Sequence, residues 1–449
     1  MGVSMARKSL ILAVGIVTAA ALSALSASAA TLTPISTTLP AAIGVGYLQP
    51  TGDVVVSVNY PSGNPFALET VVVTGGGTGT QTQYSTLAGI QNEAKIAAVQ
   101  LSLGGFAAGD IYFGNGSPGG IAKVASGGSP ATASWVTLSP TSDRVSGITS
   151  DFTGVFGGDL LAATSDGKVW RVKSDGSFSL LTTVSGIFPE ALLVVPNVPA
   201  EFGPWAGKLL VGGEGLSGVY VVDTTGATSF TALPSGVEPE DLDLVPSSGN
   251  LYAVRYGQAG GATSQLLTAP ASDFTPCTIL IAVEGANQLW DAQWNGTTLN
   301  TTKVWEDTTT GFELESATFS SFTCPSACPL TQGYWKNHPN AWPVTSLTIG
   351  GTTYTQAQLL TILGTPPKQG NAVLILGHQL IAAELNIANG SDPSPILATI
   401  LDADSLLSGI SLLNGYVSAS SALGQQMTAD ANLLDEYNSG LLTTCPDGD

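Results

Sequence analysis

The chain has 449 residues, a formal net charge of −20, and charged side chains at only 10% of positions against 43% hydrophobic. That hydrophobic content excludes a disordered chain, and the length points to two domains. With 33 acids against 13 Lys plus Arg, the chain repels phosphate backbones, so nucleic acid is not an expected partner and cations are the favoured ones.

Residues 1–30 read as a secretory signal. Arg7 and Lys8 form a positive start, Leu10 to Leu25 an uncharged apolar run, and Ala27-Ser28-Ala29 a small-residue cleavage site. The run is short for a bilayer span, and no later stretch is long and apolar enough for one. The expected location is secreted or extracellular, with cell surface and periplasm also compatible, and no membrane span after signal removal.

Residues 31–323 read as strands and turns. A motif of Gly, a polar residue and two hydrophobic ones returns about every 50 residues: Gly109-Asp110-Ile111-Tyr112, Gly158-Asp159-Leu160-Leu161, Gly207-Lys208-Leu209-Leu210 and Gly249-Asn250-Leu251-Tyr252, with a fainter Gly52-Asp53-Val54-Val55. An acidic segment precedes the clear copies: Asn92-Glu93-Ala94, Pro189-Glu190-Ala191 and Pro239-Glu240-Asp241. Alternating strands and turns such as Ser165-Asp166-Gly167 separate them. This pattern predicts a β-propeller of four-stranded blades starting near 93, 146, 190 and 240. A partial blade follows 291, the last inner strand falls at Glu315–Phe319, and strands at 41–73 complete a closing blade. Six blades fit best; five or seven, or a pair of β-sandwiches, remain open.

Over residues 35–322 the blades resemble six-bladed propellers of the NHL-repeat and gluconolactonase-like kind. In the latter a central metal is held by Glu, Asn and Asp side chains. Glu93, Glu190 and Glu240 hold one position of the repeat, with Asp291 and Glu315 as weaker equivalents, and form a candidate calcium ring of Glu93, Glu190, Glu240 and Asp291; the resemblance puts Asn92 in the Asn role. A full ligand set cannot be matched. Several carboxylates around one axis repel one another and raise their pKa values unless a cation or water shares them; calcium takes many oxygens at flexible geometry, and a solvated acidic channel is the alternative.

Residues 324–449 change to helical periodicity. Thr355-Gln356-Ala357-Gln358 is a capping box. Asn371 caps a longer helix through about Ala388, stopped by Asn389-Gly390 and apolar around much of its circumference. A third helix starts at Pro395 and runs to about Leu407, and a fourth covers about 420–438. The prediction is a small all-α domain closed by a disulfide. Its opening segment, Gly333-Tyr334-Trp335-Lys336-Asn337-His338, and the later Gly377-His378-Gln379-Leu380 are similar to a module at the C-termini of exported bacterial proteins. That likeness implies a bacterial source and says nothing about chemistry.

Four cysteines in an exported chain favour two disulfides. Of three connectivities, Cys277–Cys324 with Cys328–Cys445 is preferred; a metal at Cys324-x-x-x-Cys328 lacks a second ligand pair. The two histidines, His338 and His378, are both in the helical domain. That removes a His-assisted mechanism from the propeller and leaves a weak zinc option with Glu384. Tyr334, Trp335 and Trp342 are candidate glycan contacts, or core. Gly75-Gly76-Gly77 lacks the Lys and helix of a phosphate loop. The expected function is non-enzymatic binding of an extracellular ligand, or surface and matrix assembly. The alternatives are a calcium-dependent gluconolactonase-like hydrolase and a carbohydrate-binding secreted protein. No cofactor other than calcium is expected.

Overall fold

The computed structural model describes residues 30–72, 79–90, 93–257, 263–322, 324, 327–393 and 395–443. Residues 1–29 of the signal segment, Gly75–Gly77, Asn92 and Cys445 lie outside them.

Among the described residues, six four-stranded antiparallel sheets form the blades. Blade 1 comprises Val45–Leu48, Asp53–Ser57, Leu68–Val72 and Thr80–Gln83. Blade 2 comprises Ala97–Ala98, Ile111–Gly114, Gly120–Val124 and Ala131–Thr137. Blade 3 holds Val145–Ser150, Leu160–Thr164, Lys168–Val172 and Phe178–Thr183; blade 4 holds Phe188–Val194, Leu209–Glu214, Gly218–Val222 and Thr228–Ala232. In each, chain order is also sheet order. The first-listed strands are innermost and neighbour one another around the axis.

The last two blades break that rule. Blade 5 pairs inner strand Asp241–Leu244 with Ile279–Val283, then Gln288–Trp294 and Leu299–Glu306. The intervening hairpin, Asn250–Gly257 and Ser264–Pro270, belongs to blade 6, beside inner strand Phe312–Phe319. Blade 6 is completed by Thr33–Leu39, whose partners run from Thr268 to Ser264. Two sequence expectations are thereby corrected. The Gly249 motif opens a strand of blade 6 rather than continuing the blade begun at Glu240. The strands at 41–73 build blade 1, and the closing strand lies just before them. An inner strand followed by a Gly-polar-aliphatic strand looks the same locally whether the two pair or part into neighbouring blades. Here Asp241 and Asp243 tie the inner strands of blades 5 and 6 to each other. Asp241 Oδ2 accepts from Ser316 Oγ and from Ala317 N at 3.0 Å, and Asp243 Oδ2 accepts from Phe319 N at 2.8 Å. Side chains of the blade 5 inner strand therefore cap backbone donors of the blade 6 inner strand.

The repeat motif itself has a structural cause. Gly52, Gly109, Gly158, Gly207 and Gly249 all have positive φ, 66° to 99°, a region that favours glycine. The Asp that follows in blades 2 and 3 is a buried ion-pair partner: Asp110 meets Lys123 at 2.9 Å, and Asp159 meets Arg171 at 2.7 Å. Between blades the core is Val, Leu, Ile, Ala and aromatic side chains.

The C-terminal unit is helical: Gln332–Asn337, Gln356–Gly364, Ala372–Ala388, Leu397–Leu407 and Ala422–Asn438, with a hairpin of Ser346–Ile349 and Thr352–Thr355 not separated in the sequence reading. The capping box at Thr355 and the Asn371 cap are both formed. Ala372–Ala388 is buried around most of its surface and is the central helix. Of the described residues, no helix is long and apolar enough to cross a membrane.

Cys277 and Cys324 form a disulfide with Cα atoms 5.3 Å apart. It ties the strand returning to blade 5 to the segment leaving blade 6. Cys328 is also disulfide-bonded. The Cys277–Cys324 bridge closes a loop with a sequence separation of 47, worth about 4 kcal/mol in a chain-entropy model. Replacing both residues by Ser is expected to lower unfolding free energy by about 2–4 kcal/mol, measured in urea with Cys328 and Cys445 intact. An unchanged midpoint would show that the crossover needs no staple.

Candidate functional site

The inner strands of blades 2 to 6 bring a charged layer to their starts. Three of them carry a β-bulge there, and the bulged residue is Ser146, Glu190 or Glu315. A bulge adds one unpaired residue and re-aims its side chain. Glu240 directly precedes its strand and bonds through its N–H to Ala282 O. In blade 2 the corresponding place is held by Lys95, two residues beyond the expected Glu93. A basic residue in an otherwise acidic series is the signal that the sequence reading passed over.

Lys95 is 5% exposed. Its ammonium pairs with Glu240 Oε1, donates to Glu315 O at 2.6 Å and lies 3.9 Å from Glu315 Oε2. Burial works against its charge, but Glu240, Glu315, Glu190 and Asp241 outweigh this and hold its pKa well above the usual lysine value. One cation faces three buried carboxylates. Burial first, then the charge of Glu240, pushes Glu190 up to about 10. Glu315 rises to about 9 because burial and the charge of Glu240 outweigh Lys95. Protons thus balance the charge that Lys95 leaves over.

An outer layer surrounds this one. Glu284, at the end of a blade 5 strand, belongs to two groups of carboxylates, Glu214–Glu240–Glu284 and Glu284–Glu313–Glu315; in each group oxygens lie within 4.8 Å of one another. Burial and then the charges of Glu240 and Glu313 raise Glu284 to about 8. Glu93 is half-exposed in this rim, 3.9 Å from Arg144. Tyr60 and Tyr256 stand edge to face, centroids 5.7 Å apart. Below the mouth, all six inner strands line an axial channel of about 70 Å³ that includes Asp241 and Asp243. Burial raises Asp243 to about 7.

Of the sequence-predicted ring, the structure brings Glu190 and Glu240 together, with Glu93 close enough to act on Glu190 through its charge. Asp291 is elsewhere: it sits on the third strand of blade 5, opposite Leu280 and Thr302, where it accepts from Thr275 N at 3.2 Å. Glu284, Glu313 and Glu214 take its place. None of the three stands at the repeat's acidic position: Glu214 closes a blade 4 strand, Glu284 follows a blade 5 strand, and Glu313 lies near the start of the blade 6 inner strand.

In the helical unit Trp335 is 1% exposed and donates its indole N–H to Asn386 Oδ1 at 2.9 Å. It has no face for a glycan, which corrects that expectation. Trp342 donates to Trp335 O at 2.8 Å, and half-exposed Tyr334 stacks on His338 with centroids 4.3 Å apart. His378 is buried, its Nε2 2.7 Å from Ile362 O. Among the described residues, neither histidine joins a group of three metal-ligating side chains.

No protein family model and no curated protein matches the chain. Solved structures that it resembles include a streptogramin B lyase, at 14% identity and TM-score 0.39 over 64% of this chain and 91% of that one. A putative gluconolactonase is similar at 11% identity and TM-score 0.35, over 64% and 92%. A calcium-binding protein, regucalcin from Agrobacterium tumefaciens, is similar at 10% identity and TM-score 0.38, over 62% and 78%.

Two outcomes follow from the charged layer. Lys95→Met leaves Glu240 buried without its counter-charge, and is expected to cost about 3–5 kcal/mol in chemical unfolding; Glu240→Gln added to it should recover part of the loss. The raised carboxyls set a pH dependence. Stability from their protonated forms is complete below the unfolded value of 4.5 and is lost as pH rises toward the folded values near 9 and 10. The melting temperature should therefore fall from pH 6 to pH 9. Glu190→Gln, which cannot ionise, should flatten that slope; equal slopes would remove Glu190 as a contributor.

Proposed function

We propose that this is an exported, non-enzymatic binding protein whose propeller mouth captures a cation, calcium first among them. The observation that carries the reading is Glu284, shared by two carboxylate groups at the open end of the axis. Calcium accepts six to eight oxygens at flexible geometry, and Glu214, Glu284 and Glu313 offer theirs on the outward side. Lys95 already serves the inner layer, so the outer layer is where added positive charge relieves the most repulsion. A bound cation there would take over from protons.

Binding is favoured over hydrolysis by the mouth's own groups. Both histidines belong to the helical unit. Ser146 at the mouth donates to Pro189 O at 2.6 Å rather than to a carboxylate. The leader sequence supports export.

Calorimetry at pH 7.5 tests the reading. Calcium is expected to bind with a stoichiometry of one and to raise the melting temperature, reversibly with EDTA. Glu284→Gln should weaken binding roughly ten-fold or more, through loss of a charged ligand. Absence of both heat and melting shift in the wild type would end the calcium reading.

A further inference from the structure

The helical unit meets the propeller at the end opposite the acidic mouth. Phe152, Val198 and Phe322 follow the inner strands of blades 3, 4 and 6, and with Ile387 and Leu397 they wall a cleft of about 60 Å³. Phe152 and Phe322 lie at a tilt, centroids 5.5 Å apart. Ser391 also lines the cleft and is 2% exposed. Its N–H donates to Asn386 O, but its hydroxyl makes no hydrogen bond of good geometry. It lies beside the buried Tyr437 hydroxyl, whose pKa burial raises and Ser391 lowers as a side-chain hydrogen-bond partner, although neither hydroxyl reaches good geometry.

A buried hydroxyl is ordinarily satisfied. Here it faces a mostly apolar cleft whose other polar lining residues are Thr153, Asn197 and Asp392. Mostly apolar walls, a few polar groups and a position between two domains are the marks of a small-molecule site. The size narrows the ligand. A cavity of about 150 Å³ is what holds a benzene ring, so this cleft admits something slimmer. We propose that it binds the end of a short aliphatic chain whose hydroxyl or carbonyl oxygen bonds to Ser391. The Ser391 hydroxyl can donate to either oxygen and also accept from an alcohol. The site is independent of the acidic mouth and of any cation there.

The test is a titration of the full chain, methyl-labelled at Ile, Leu and Val, with 1-butanol. Saturable shifts confined to the methyls of Val198, Ile387 and Leu397 are expected. Ser391→Ala should weaken binding about five-fold, the worth of one hydrogen bond. Leu397→Trp should fill the cleft and abolish saturation at Ile387. Shifts that stay linear, or that scatter over other core methyls, overturn the proposal, as does unchanged affinity in Ser391→Ala. Should Leu397→Trp fail to fold, Ser391→Ala alone decides.

Discussion

Closure of the ring through blade 6 is the constraint on which the rest depends. That blade is assembled from three separated pieces of chain: Thr33–Leu39, the hairpin within 250–270, and Phe312–Phe319. Until they meet, the outer edge of blade 6 is unpaired and the six inner strands surround nothing. Such pairings are distant in sequence and carry the loop-closure cost first. The compensation is local to the junction. Asp241 and Asp243 cap backbone donors of the neighbouring strand, and the Cys277–Cys324 bridge joins the two segments that cross there. The same exchange that closes the ring also moves Glu284, Glu313 and Glu315 to the mouth.

Closure creates an electrostatic problem as well as a fold. Equivalent positions of different blades converge, and in blades 4, 5 and 6 they are glutamates. The interior cannot hold three uncompensated carboxylates. The chain answers with Lys95 inside and protons for the remainder, while the carboxylates nearest solvent stay available. Bulges at Ser146, Glu190 and Glu315 belong to this arrangement, since an unbulged register would aim those side chains differently.

The helical unit solves a different problem. Its buried amides are spent on packing. Asn386 takes N–H groups from Leu330 and Trp335 and gives to Leu330 O and Asn438. Asn438 in turn gives to the backbone and side chain of Gln379. A buried network with its amides satisfied specifies one arrangement of helices. Asn386 thus keeps the opening segment against the central helix.

Sequence alone determined what is local. The glycine turns, the strand period, the change to helical period after Cys324, the Thr355 and Asn371 caps and the Cys277–Cys324 pairing were legible because each depends on neighbouring residues or on inventory. Glu190 and Glu240 were legible for the same reason: an acid recurs at one place in the repeat. What only the tertiary structure decided is partnership across the chain. Which blade owns the Gly249 strand, which strand closes the ring, and why Asp291 stays away from the axis all follow from long-range pairing that leaves no local mark. Lys95 shows the same limit at a single residue. In the repeat it is merely an odd position, and only the converging glutamates make it the cation around which the mouth is built.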